Sequence, residues 1–150
     1  MTEWKPPIET GLYGNVYVDD AFASHFAETD TDGDHELRAP AVYALRLSTP
    51  DTRDVVRERW GRVYDVDIPE FIWSAFEADS AFYVGSTHDL YGRIYQHSEG
   101  TKTASICRVY PPHSIHRIWW YDDADTAADH EGEKAMELQN SDPEIAVHWN

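Results

Sequence analysis

The segment Tyr83-Val-Gly-Ser-Thr-His-Asp-Leu-Tyr-Gly-Arg93-Ile-Tyr-Gln-His97 constrains this chain more than any other. Ala81–Gly85 is a short aromatic run of the kind that forms a strand, and Asp89–His97 follows with helical spacing. At about 100° per residue, Leu90, Arg93, Ile94 and His97 share one face of that helix, while Gly92 and Gln96 fall elsewhere. A cation and an imidazole are thus carried on the face that two apolar residues turn toward the sheet. Either one alone reads as a structural salt bridge or a hydrogen-bonded core histidine.

The flanking sequence fills in the expected elements. Ala41–Ser48 alternates, with Tyr43, Leu45 and Leu47 on one face and Val42, Ala44 and Arg46 on the other, as a strand does. Pro50 and Asp51 open a helical pattern running to Arg62, in which Val56 and Trp60 stack one turn apart. A second short helix is expected over Pro69–Ala78. Ser105–Tyr110 and Ser114–Tyr121 are apolar enough to be strands, interrupted by the Pro111-Pro112 pair, which cannot donate ladder hydrogen bonds. The last helix is expected over Asp125–Gln139, with Asp125 as N-cap and Asn140 as C-cap. The first 40 residues are harder to read: a strand at Asn15–Val18, a helix at Asp20–Ala27, and an acidic loop at Asp30–Glu36. That loop has the alternating carboxylates of a calcium loop, but position 12 falls on Ala39, so a solvated loop is the expectation.

Seven positions of the central segment, Tyr83, Val84, Gly85, Thr87, Leu90, Arg93 and His97, resemble the second signature of the GIY-YIG nuclease superfamily. The first signature is looser, with Ala41-Val42-Tyr43 where the family has Gly-Ile-Tyr; Gly11-Leu12-Tyr13 is the competing match. About 40 residues separate Tyr43 from Tyr83, which implies an insertion between Ser48 and Ser80. The family's helix glutamate matches Glu131, preceded by Ala127. On a helix, Ala127, Ala128, Glu131, Ala135 and Leu138 share a face, and Glu133 and Glu137 point away. A carboxylate centred on an apolar face needs a partner, such as a metal ion or Arg93.

The resemblance implies an α/β (α+β) fold, with a mainly antiparallel three-stranded sheet flanked by helices. It would occupy a single domain over residues 1–150, with an N-terminal extension at 1–40 and a helical insertion at 49–80. It implies a metal-dependent endonuclease acting on DNA, with Tyr43, Tyr83, Arg93, His97 and Glu131 as the catalytic set. Glu131 would hold Mg2+ or Mn2+ and Arg93 would donate to the scissile phosphate. Tyr43 would position or deprotonate water with its pKa lowered by local cations, and Tyr83 and His97 would orient the phosphate and assist proton transfer. Arg53, Arg57, Arg59 and Arg62 gather four of nine arginines into ten positions, which gives a DNA-tracking surface together with Thr87, or an exposed helix on which Asp54 and Glu58 pair with them.

Charge bears on that reading. The chain has 28 acidic and 12 basic residues and a net charge of −16. Such a chain disfavours nucleic acid in ordinary buffer, where phosphate neutralisation dominates affinity. Acidity spread along the sequence with few lysines is, however, the pattern of a protein from a salt-loving source, here an archaeal or archaeal-virus type. At 1 M salt the Debye length falls to about 3 Å and the long-range repulsion disappears. No run reaches the roughly 20 apolar residues of a membrane span, and the N-terminus lacks signal-peptide features, so a cytoplasmic protein is expected. The lone Cys107 excludes an internal disulfide or a thiolate cluster. A histidine metal enzyme is disfavoured by the absence of H-E-x-x-H and the weakness of His113-x-x-His116. A catalytically inactive scaffold with the same fold is the remaining alternative. A protein partner or a homodimer is compatible with either.

Overall fold

The computed structural model describes residues 39–99 and 104–149. The competing tyrosine Tyr13, the strand and helix expected before residue 28 and the acidic loop at Asp30–Glu36 lie outside the described residues. The elements are β1 (Ala41–Leu47), α1 (Arg53–Gly61), α2 (Glu70–Glu77), β2 (Ser80–Thr87), α3 (Leu90–Glu99), α4 (Ser105–Val109), β3 (Pro112–Trp120), α5 (Ala124–Ser141) and β4 (Ile145–Trp149). The fold is mixed α/β, with an open sheet of strand order β3-β1-β2-β4 flanked by helices.

β1 runs antiparallel to both β2 and β3, which is the three-stranded core expected from the sequence. A fourth strand, β4, extends it by pairing parallel to β2. Its five residues, Ile145–Trp149, are too few for alternation to announce a strand, and a parallel partner gives no hairpin signal.

Side-chain alternation divides the core between the two faces of the sheet. Ala41, Tyr43, Leu45 and Leu47 join α1–α4 in the larger cluster, with Val56, Ile72, Leu90, Ile94 and Ile106. Val42, Ala44 and Val84 pack on the opposite face with Ala127 and Ala135 of α5. The small residues of α5 let that helix approach the sheet closely. Val56 and Trp60 are both buried, as their spacing requires.

Two expectations are corrected. Ser105–Tyr110 is not a strand: Ser105–Val109 forms a single helical turn that buries Ile106, Cys107 and Val109. Five residues cannot distinguish the two periods, and Tyr110 completes the helical choice by donating its hydroxyl to the Ile72 carbonyl at 2.6 Å. The last helix begins earlier and ends later than expected: Asp123 is the N-cap, accepting from the Thr126 amide at 2.7 Å, and Asp142 is the C-cap. The Pro111-Pro112 pair is tolerated because β3 is an edge strand.

α1 and the loop after it are held by directional bonds as well as by burial. Arg59 donates to the Val109 carbonyl at the end of α4 at 2.8 Å, and Trp60 closes the following loop by donating to the Val66 carbonyl at 2.9 Å.

Candidate active site

The register of β1 against β2 sets Tyr43 opposite Gly85 and Leu45 opposite Tyr83. Both tyrosines therefore point to the same face of the sheet. Gly85 is required here for space. A Cβ at that position would lie 2.6 Å from the Tyr43 hydroxyl oxygen, 2.8 Å from its Cζ and 3.0 Å from Tyr83 Cε2. Without a side chain at Gly85, the Tyr43 phenol leans across β2 toward α3.

The turn into α3 is built by Thr87 and Asp89. The Asp89 amide donates to the Thr87 hydroxyl at 3.1 Å, and the Gly92 amide donates to the Asp89 carboxylate at 3.1 Å, an N-cap arrangement. α3 then carries Arg93 and His97 to the tyrosines, as its face pattern required. Arg93 Nε donates to the Tyr43 hydroxyl at 3.3 Å, and Arg93 Nη1 to Gln96 at 2.9 Å. The guanidinium also hydrogen-bonds Tyr83. Tyr43 Oη and His97 Nε2 are 2.9 Å apart.

Donor and acceptor roles follow from this network. Arg93 can only donate, so it occupies a lone pair of the Tyr43 oxygen, and the phenolic proton is directed to His97 Nε2. His97 is then the neutral tautomer with its proton on Nδ1. Burial, with Arg93 adding, lowers its pKa to about 3.

The tyrosines are pushed the other way. Burial drives the Tyr43 phenol far above its ordinary value, with Tyr83 adding and Arg93 opposing. This differs from the lowered pKa expected from the sequence: Tyr43 is fully enclosed, and desolvation of a phenolate outweighs one neighbouring guanidinium. Burial likewise pushes Tyr83 up to about 12, with Cys107 and Glu131 adding and Arg93 subtracting. Burial pulls Arg93 down, but the two tyrosine oxygens it faces more than offset this and hold it above its ordinary value.

Glu131 of α5 is half-buried and acts electrostatically on Tyr83. Its neighbours on the helix behave as expected, with Ala127 and Ala135 buried and Glu133 and Glu137 exposed; Ala128, at the margin of the stripe, is exposed. Four residues of the sequence-derived set, Tyr43, Tyr83, Arg93 and His97, are thus joined by hydrogen bonds and ring contacts, and Glu131 acts on Tyr83 electrostatically from α5. Two neighbours escaped sequence reasoning. His148 of β4 pairs in register with Tyr83 and stacks on Phe71 at 4.2 Å. Cys107 is buried against the tyrosines. His148 could be found only with β4 in place.

Arg53, Arg57, Arg59 and Arg62 lie apart from this network. Arg57 pairs with Asp54 at 2.9 Å, Arg62 pairs with Glu58, and Arg53 lies 3.7 Å from Glu77. The guanidiniums of Arg53 and Arg57 sit over the Trp73 ring at 5.1 and 5.5 Å. Thr87 is engaged by the Asp89 backbone.

Residues 71–138 match the family model of the GIY-YIG catalytic domain. Over that stretch the chain is similar to a GIY-YIG domain. No curated protein and no solved structure matches the chain. The match takes in Tyr83, Arg93, His97 and Glu131 but stops short of β1. What ties Tyr43 to the GIY-YIG signature residues is its pair of bonds to Arg93 and His97. The family is one of nucleases that use divalent metals. No helix among the described residues is long and apolar enough to cross a membrane.

Two predictions attach to this network. Tyr43→Phe strands the His97 Nε2 acceptor and an Arg93 donor in a buried site, at a cost of about 1–3 kcal/mol readable by urea denaturation. His97 should also give a pH signature. Its folded pKa of about 3 lies below the unfolded value near 6.5, so the unfolded state binds the extra proton. The stability contributed by neutral His97 is complete above pH of about 6.5 and is lost as pH falls toward 3, at up to about 1.4 kcal/mol per unit. His97→Phe should flatten that dependence between pH of about 5 and 6.5, above the carboxylate range; an unchanged slope would contradict the assignment.

Proposed function

We propose that this chain, as a single domain, is a metal-dependent endonuclease that hydrolyses DNA phosphodiester bonds. One observation carries the reading: Arg93 is forked between two buried tyrosines, with a neutral histidine behind one of them and the other within the electrostatic reach of the half-buried Glu131. Phosphodiester hydrolysis needs positive charge at the phosphate, an acceptor for the proton of the attacking water, and a means of stabilising the leaving oxygen.

Arg93 binds the scissile phosphate through its planar fork, exchanging a tyrosine oxygen for a phosphate oxygen. Tyr43 positions the water. As the water oxygen bonds to phosphorus and the bond from phosphorus to the leaving oxygen breaks, the water proton passes to the Tyr43 oxygen while the phenolic proton moves to His97 Nε2, which holds it only in passing because its pKa is so low, and the leaving oxygen takes up a proton in turn from solvent. Tyr83 orients a second phosphate oxygen. Among the described residues no three His, Cys, Asp or Glu side chains form a ready-made metal cluster. A single carboxylate such as Glu131 suits Mg2+ or Mn2+, hard cations that keep most of their waters. That ion would supply Lewis-acid charge to the phosphate and leaving group.

The arginines of α1 are proposed to track the DNA backbone. Their exposed ion pairs are worth about 0–1 kcal/mol and can be exchanged for phosphate. Arg53→Ala with Arg57→Ala should weaken duplex binding and reduce its salt dependence by about two phosphate contacts, read by titration in a potassium chloride series. Unchanged affinity assigns these side chains to packing on Trp73 alone. Thr87, half-buried at the α3 turn, is proposed as a minor contact.

The net charge of −16 supports a high-salt, cytoplasmic setting for this activity. The complete enclosure of Tyr43 favours a second reading, a silent scaffold that keeps the fold. Cleavage assays of the native chain with Mg2+ or Mn2+, compared with Glu131→Gln, separate the two.

A further inference from the structure

The loop that joins α1 to α2 folds back around a cavity of about 520 Å³, a volume within the range of small-molecule sites. Its aromatic wall is fixed by local bonds. Trp60, buried at the end of α1, donates its indole N–H to the Val66 carbonyl, and the Tyr64 amide donates to the Trp60 carbonyl, each at 2.9 Å. The half-buried Tyr64 ring is thereby propped against Trp60, with the ring centroids 4.3 Å apart. Trp73 of α2, also half-buried, and Arg57 of α1 line the cavity as well, with the guanidinium 5.5 Å from the Trp73 ring. Because the wall is in place before a ligand arrives, the ordering cost of binding is low.

Two further observations say what the cavity would hold. Among the described residues three large apolar side chains are exposed, and two of them, Val63 and Val66, belong to this loop; Val66, 68% exposed, lines the cavity. Asp65 and Asp67 line it too, both exposed, and among the described residues neither has an ion pair or a side-chain hydrogen bond. An aromatic wall takes a flat ring, carboxylates only accept and so want N–H donors on the ring's edge, and a guanidinium wants an anion. A nucleotide joins all three. Guanine is the base with two adjacent N–H donors on its Watson–Crick edge. On the other bases a ring nitrogen or carbonyl acceptor stands beside the donor and repels a carboxylate. A bare organic cation would suit the carboxylates but not Arg57.

We propose that this cavity is a nucleotide site that stacks an unpaired guanine on its aromatic wall, holds the guanine edge with Asp65 or Asp67, and takes the phosphate with Arg57. Arg57 is paired with the exposed Asp54 at 2.9 Å, a partner it can exchange for phosphate. At 1 M salt the Debye length is about 3 Å, so the carboxylates do not repel a phosphate at the far end of the nucleotide. Within the nuclease reading the guanine belongs to the DNA substrate and is turned out of the helix, since pairing would occupy the edge that the carboxylates read. Only that placing rests on the nuclease reading; the nucleotide site itself does not.

The test is calorimetric titration of the full chain in molar potassium chloride with each of the four deoxynucleoside monophosphates. Deoxyguanosine monophosphate should bind saturably, about tenfold or more tighter than the other three. Asp65→Asn with Asp67→Asn should abolish that preference, and Arg57→Ala should weaken all four alike, each variant keeping the native denaturation midpoint. No saturable binding of any nucleotide overturns the site, as does binding of tetramethylammonium or free arginine in their place. Equal affinity for all four, or a preference that survives the double substitution, overturns the guanine assignment. In the Glu131→Gln background, a duplex with one unpaired guanine should bind more tightly than a fully paired duplex; equal affinity overturns the placing of the guanine in DNA. Guanine selectivity in a chain whose native form never cuts sustains the site while the nuclease reading fails.

Discussion

Arg93→Ala should lower phosphodiester cleavage by about a hundredfold to a thousandfold, the usual cost of removing one positioned donor to the transition state. Here the loss has two parts. Among the described residues the guanidinium is the positive group joined by hydrogen bonds to both tyrosines, so its removal deprives the phosphate of its fork. It also removes the donor that occupies the Tyr43 lone pair and thereby directs the phenolic proton to His97. Arg93→Lys separates the parts: an ammonium restores charge but not the planar, two-handed geometry. It should recover a small share of the rate with the chain fully folded. Full activity in Arg93→Ala, measured on plasmid DNA with Mg2+ or Mn2+, would remove Arg93 from the mechanism.

Gly85→Ala should be the most damaging single methyl group in the domain. The added carbon would have to occupy space 2.6 and 2.8 Å from atoms of the Tyr43 ring, a side chain with no exposed surface into which to retreat. Overpacking of this kind costs about 1–3 kcal/mol. Relief requires moving the Tyr43 phenol off β2, which stretches its bonds to His97 and Arg93. Stability and cleavage should therefore fall together, read by denaturation midpoint and by rate at saturating metal. Gly61→Ala is the control: nothing lies within 4 Å of its Cβ position. Equal behaviour of the two variants would show that the close approach at Gly85 carries no function.

Much of this arrangement is legible in the sequence because it is local. The face shared by Leu90, Arg93, Ile94 and His97 depends only on helical geometry, and the structure turns that face to the sheet. The alternation of β1 placed Tyr43 with Leu45 and Leu47 and left Arg46 on the other side. What was not legible is non-local. β4 is short and pairs parallel to β2 across the length of α5, so its position, and with it the stacking of His148 on Phe71, follows from tertiary packing. Ser105–Val109 could serve either period, and the bond from Tyr110 to Ile72 is a contact across 38 positions. The burial that raises the Tyr43 pKa was not legible, because charge proximity can be inferred from a motif, whereas complete burial cannot.

The most direct test of the central claim is cleavage of plasmid and branched DNA in molar potassium chloride with Mg2+ or Mn2+, comparing the native chain with Glu131→Gln. The account predicts metal-dependent nicking by the native chain and its loss in Glu131→Gln, with both chains folded. A folded native chain that never cuts, or a Glu131→Gln variant that cuts as well as the native one, would contradict it.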